Sequence, residues 1–137
     1  ASINSPNFFK LSPLGIYFSN VLKLGCPCIK VCDIDTTIHW YVGLLEFTCT
    51  YKSQIKNPDY AILEYGELKI YLERDPENES YGKNTIIIET SNLDASFEAL
   101  SSSEMLIMTS IQEGVFGGNE FCVKDYEDNR IIYRQST

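Results

Sequence analysis

A single histidine, His39, serves the whole 137-residue chain, and that scarcity removes most histidine-based acid–base and metal-ligand schemes at the outset. The chain has no Gly-rich phosphate loop, no nucleophile elbow and no Ser-His-Asp succession, so phosphoryl transfer and triad hydrolysis lack their sequence signatures. No apolar run reaches the roughly eighteen residues of a bilayer span. Positive charge is short as well: 11 Lys and Arg stand against 19 Asp and Glu, for a net charge of −8. Such a balance argues against nucleic acid and anionic membranes as partners.

Disulfide pairing is also poorly served. The five cysteines are odd in number, with Cys26, Cys28 and Cys32 crowded together and Cys49 and Cys122 isolated. The pattern points to free thiols in a reducing compartment and hence a cytoplasmic location. Apolar residues make up 44% of the chain, enough for the core of one ordinary domain. Residues 1–24, including "LSPLGIYFSNVLK", lack a basic leader and carry Lys23 where a signal would be aliphatic. They read as an N-terminal extension, either a surface arm or a dimer contact, and residues 25–137 as the single domain.

Periodicity divides that domain in two. From Cys26 to Cys32 the residues alternate, with Cys26, Cys28, Lys30 and Cys32 on one side and Ile29 and Val31 on the other, the period of a strand. The period then lengthens: Ile38, Tyr41, Val42 and Leu45 recur at helical spacing, with Asp33 or Asp35 placed to cap the start. Three β-rich runs follow, "FTCTYK", "DYAILEY" and "LKIYLER", the last two joined at Gly66-Glu67 as a hairpin. The second half repeats the order with "NTIIIET", a helix bearing Leu93, Phe97 and Leu100, and the strands "EMLIMTSIQ", "EFCVKD" and "RIIYRQ". Asp33-Ile34-Asp35 lies on Asn92-Leu93-Asp94 at a shift of 59 positions. An α+β domain of two tandem βαβββ modules follows: module one 25–75, linker 76–83 and module two 84–137.

In module one, a strand leading through Asp-Ile-Asp to "HWYVGLLEF" resembles the vicinal oxygen chelate superfamily, with Trp40, Tyr41, Leu45 and Phe47 in its helix motif and Glu46 where Gly is usual. In module two, "FGGNEFCVKDYEDNRIIYRQ" resembles the closing segment of glyoxalase and bleomycin-resistance-type members, its turn written Asp125-Tyr126-Glu127-Asp128-Asn129 without the usual Pro and Gly. The resemblance implies two curved mixed sheets around a cleft. It also places the metal ligands of metal-using members at Cys26, Ile70 or Tyr71, Thr85 and Ile132. Isoleucine cannot ligate, and Thr and Tyr seldom do, so no metal and no other cofactor is expected. His39 sits on the helix, away from the strand cysteines, and does not rescue the site. Lys30 beside Cys28 and Cys32 could give those thiols a weak push toward reactivity.

The resemblance is nearest to the metal-free, bleomycin-resistance-like branch, which implies a homodimer that sequesters a small molecule without chemistry. An acidic protein with nine Tyr and seven Phe suits a basic aromatic compound such as an antibiotic. The expected cleft residues are Cys28, Lys30, Tyr51, Tyr60, Tyr71, Glu89, Phe116, Phe121 and Tyr133, with Glu64 and Glu73 as further acidic contacts. The alternative is a metal-dependent lyase, isomerase or dioxygenase of the same superfamily, reached if a strand is out of register by one residue.

Overall fold

The computed structural model describes residues 21–136; the first twenty positions of the N-terminal extension lie outside the described residues. Module one opens with β1 (Cys28–Val31) and α1 (Ile34–Leu45), followed by β2 (Thr48–Lys52), β3 (Tyr60–Tyr65) and β4 (Leu68–Arg74). Module two has β5 (Thr85–Glu89), α2 (Leu93–Ser101), two short strands β6 (Ile107–Met108) and β7 (Gln112–Glu113), then β8 (Asn119–Lys124) and β9 (Arg130–Gln135).

The helix starts follow directly from the repeated motif. Asp33 accepts a hydrogen bond from the Thr36 amide at 3.0 Å, and Asn92 accepts one from Ala95 at 3.0 Å. Each therefore satisfies one of the amides a helix N-terminus leaves unpaired. The apolar face of α1 buries Ile34, Ile38, Tyr41 and Leu45. The helix ends at Glu46, whose φ of +64° is left-handed, the conformation for which glycine carries no side-chain penalty.

Each module builds a mixed sheet in which the first strand pairs in parallel with the last. Sheet one has the order β1-β4-β3-β2, and sheet two runs β5-β9-β8-β6 with β7 also on β8. Tyr65 pairs with Leu68 across the Gly66-Glu67 turn, as a hairpin requires. The continuous strand expected across "EMLIMTSIQ" is instead two two-residue pieces. Between them the Thr109 side chain accepts the Cys122 amide at 2.9 Å, so a hydroxyl occupies part of the ladder.

One face of each sheet meets its helix, and both modules contribute to a single core, with Ile29, Val31, Leu63 and Leu72 from one and Ile86, Phe121, Val123 and Ile131 from the other. The modules are also tied by polar contacts from the turn between β8 and β9. Glu127 accepts from the Cys32 and Asp33 amides at 2.7 and 3.3 Å, and Tyr41 donates to Asp125 at 2.7 Å. Asp125 in turn accepts from the Glu127 and Asn129 amides at 2.9 Å each. These bonds hold the turn closed without Pro or Gly, with Asp128 alone taking a left-handed φ of +65°.

Candidate functional site

Strand alternation leaves the other face of each sheet open, and register fixes its contents. Across sheet one, Cys28 pairs with Tyr71, Tyr71 with Ile62, and Ile62 with Tyr51, so these four side chains form one row. The next row holds Lys30, Glu73 and Tyr60, closed by a Lys30–Glu73 ion pair at 3.6 Å. Tyr51, Tyr60 and Tyr71 are 50, 53 and 40% exposed. Large aromatic rings in that state are held by the sheet but keep a face for a partner. The structure thus gathers Cys28, Lys30, Tyr51, Tyr60 and Tyr71 on one surface, together with Ile62, which the sequence reading missed although its alternation with Ala61 and Leu63 marks the same face.

The open face of sheet two is built differently. Its rows are Thr85 with Arg130 and Lys124, Ile87 with Ile132 and Cys122, and Glu89 with Arg134 and Glu120. Arg134 donates to the Glu89 carboxylate and, through its other terminal nitrogen, to the carbonyls of Phe116 and Gly117 at 3.3 and 3.0 Å. This guanidinium fixes the loop that presents Phe116, which is 68% exposed. Gly118 closes that loop at φ +66°, and any side chain there would run into the Gln135 carbonyl. Glu89 and Phe116 therefore sit at one end of this face, held by Arg134, a residue the sequence reading did not single out.

Two expected cleft residues belong elsewhere. Phe121 is fully buried, stacked on Tyr133 at 5.1 Å and meeting Phe97 of α2 edge-on at 5.2 Å. Both Phe121 and Tyr133 point to the helix side of sheet two, because they pair directly with each other while Ile132 and Cys122 take the open side. The acidic candidates are engaged as well: Glu73 with Lys30, Glu89 with Arg134, and Glu64 with the Thr50 hydroxyl at 2.6 Å. Lys30 does pull the Cys28 thiol down, but burial first and the Glu73 charge second outweigh it and leave the thiol above its ordinary value.

A crevice of about 340 Å³ between the modules brings Cys26 together with Lys69, Thr85 and Ile87. Of the positions where metal ligands would fall, Cys26, Thr85 and the nearly buried Ile70 line this crevice, and Tyr71 and Ile132 lie on the open faces. That set offers one thiol and two hydroxyls, whereas a catalytic divalent site calls for about three imidazole, carboxylate or thiolate donors. Among the described residues no three His, Cys, Asp or Glu side chains are grouped to hold an ion. The donor set does not fit a metal centre. His39 is exposed on α1, remote in role from both faces.

No protein-family model matches the sequence, and no curated protein matches it. Solved structures do. A bleomycin-binding protein from bleomycin-producing Streptomyces verticillus, complexed with copper(II)-bleomycin, superposes with a TM-score of 0.72 at 20% identity, over 85% of this chain and 99% of that one. A bleomycin resistance determinant encoded on the transposon Tn5 gives 0.69 at 15% identity, over 84 and 98%. A glyoxalase-related enzyme from Clostridium phytofermentans gives 0.70 at 13% identity, over 85 and 97%. Two βαβββ modules, each with its first strand parallel to its last and its helix on one side, thus identify the architecture: the chain has the glyoxalase/bleomycin-resistance fold, the fold of the vicinal oxygen chelate superfamily that its sequence resembles.

Proposed function

We propose that this chain is a metal-independent small-molecule binding protein that holds a planar aromatic compound, an antibiotic of the bleomycin type among the candidates, against the open face of sheet one. The observation that carries the reading is the cluster of Tyr51, Tyr60 and Tyr71 on that face, each between 40 and 53% exposed. Three rings on neighbouring strands form a stacking surface, and each aromatic contact contributes about 0.5–1.5 kcal/mol beyond its buried area. The likeness to proteins whose structures hold bleomycin supports the same class of ligand.

Charge on the open faces themselves nearly balances. Lys30, Lys69, Glu64 and Glu73 cancel on sheet one, and Arg130, Arg134 and Lys124 face Glu89 and Glu120 on sheet two. A cationic ligand therefore gains from the long-range field of a protein of net charge −8 and from cation–π contact, not from a dedicated carboxylate. The reading includes a homodimer in the cytoplasm, with each open face closed by the partner.

The test is a thermal-shift and calorimetric panel with bleomycin, other basic planar drugs and divalent metals. Bleomycin at a hundredfold excess over its Kd should stabilise the fold by about 2.7 kcal/mol, and Tyr71→Ala should weaken binding about tenfold, as loss of a desolvated cation–π contact of roughly 1–2 kcal/mol would. Stabilisation by Zn²⁺, Mn²⁺ or Ni²⁺ that a chelator reverses, or drug binding indifferent to Tyr51, Tyr60 and Tyr71, would overturn it.

A further inference from the structure

Behind the sheets, on the helix side, a second concavity separates α2 from the β3–β4 hairpin. It encloses about 210 Å³, several times the share of liquid volume of one water molecule, about 30 Å³. Leu45, Phe47 and Ile88 form an apolar floor, with Tyr65 on the rim. Phe47 and Tyr65 lie 5.9 Å apart and tilted by 55°, the half-exposed Tyr65 walling one side above the buried Phe47. The groove exists because α2 packs shallowly: Leu93 is its one buried residue among the described side chains, and Leu100 is only partly covered.

Of the hydroxyls that line it, those of Thr90 and Ser96 bond each other at 2.8 Å, which leaves the Tyr133 hydroxyl. No described residue hydrogen-bonds it, and burial together with the neighbouring Tyr65 pushes its pKa up to about 12. The phenol is thus a neutral donor throughout the range in which proteins are ordinarily handled, available to an acceptor that enters the groove. Glu46 and Glu89 stand at the mouth. Glu89 is neutralised by Arg134, but Glu46 is in no ion pair with a described residue, so an anion is disfavoured there.

We propose that this groove is a second small-molecule site, distinct from the open face, that takes a single-ring aromatic compound bearing an uncharged oxygen acceptor for the Tyr133 hydroxyl. The ring packs on Phe47, Leu45 and Ile88 beneath Tyr65, and the acceptor reaches Tyr133. The inference does not depend on the open-face reading, since no ring of that face contributes to the groove.

Acetophenone supplies such a ring and carbonyl, and benzoate has the same size with a negative charge. Titrated into the ¹⁵N-labelled full chain, acetophenone should shift the amides of Thr90, Ser96, Leu100 and Tyr133 saturably, while benzoate should leave them in place. Tyr133→Phe, which keeps the stacked ring, should weaken binding about fivefold, the worth of one net hydrogen bond. Ala99→Trp, at an exposed helix position on the rim, should abolish it with the remaining spectrum dispersed. Binding of benzoate as tight as acetophenone, unchanged affinity in Tyr133→Phe, or shifts confined to Tyr51, Tyr60 and Tyr71 would each overturn the assignment.

Discussion

The two modules share an order of elements and a capping motif, yet they are finished to different degrees. In module one, α1 has twelve residues and buries five of them, and its sheet runs through four continuous strands with one register shift, between Cys49 and Tyr51 of β2. In module two, α2 has nine residues and buries one, and the second strand is broken into β6 and β7. The open faces differ in kind as well: tyrosines on sheet one, arginines and lysine on sheet two. One half holds rings for contact, whereas the other holds charged groups occupied with one another and with the Phe116 loop. A repeated backbone therefore presents two chemically different open faces.

The sharpest way to break this comparison is to empty each core in turn. Leu63→Ala, at a fully buried position in sheet one, should cost about 2–5 kcal/mol of unfolding free energy. Leu100→Ala on the shallow helix of module two should cost well under half as much, both read by urea unfolding. Equal losses would show α2 to be as firmly seated as α1. The contact between modules comes next. Tyr41→Phe removes a buried hydrogen bond to the Asp125 carboxylate and should cost roughly 1.5–3 kcal/mol, again measured in urea.

Glu127 adds a dependence on pH. Burial, as the leading cause, raises its carboxyl above the ordinary 4.5, against the lowering influence of the Cys32 and Asp33 amides. A folded-state value above the unfolded one means that the group's contribution is complete below pH 4.5 and lost as pH rises through the folded value. Glu127→Gln, neutral at every pH and still an acceptor, should then exceed the wild type in stability at pH 7, with the margin shrinking as pH falls toward 4.5. A margin constant with pH would place the carboxylate in a solvated setting. The smallest effect is expected at Glu46→Gly, which relieves a left-handed side chain at the end of α1 and should raise stability by up to about 1 kcal/mol; a loss of stability there would mean that the glutamate earns its place through another contact.

Much of the architecture is legible because it rests on short-range chemistry. Asp33 and Asn92 cap their helices as the 59-residue shift implies, and the alternation of Cys28, Ile29, Lys30 and Val31 reports its two faces correctly. The faces of sheet two are harder to read. In β9, Ile131, Ile132 and Tyr133 form an unbroken apolar run, and period-two reasoning cannot assign a run without polar alternation. Tyr133, expected in the cleft, lies on the helix side for that reason. Phe121 is a different case: it alternates with Cys122 and Lys124 in step with buried Val123, so its burial was readable and aromatic character alone had suggested a ligand contact. The Arg134 clamp on the Phe116 loop could not be read at all, since it joins residues 18 and 17 positions apart through backbone carbonyls.

The bond from Glu127 to the start of α1 spans 95 positions of sequence. A helix whose own apolar residues are complete by Leu45, and whose Thr36 amide is capped locally by Asp33, still has the two amides leading into it, those of Cys32 and Asp33, satisfied by a side chain of the second module. During synthesis, module one must persist with that end open until the turn at 125–129 has emerged, and such long-range closure slows folding. The two halves look like independent copies in sequence, but in time the first is finished by the second.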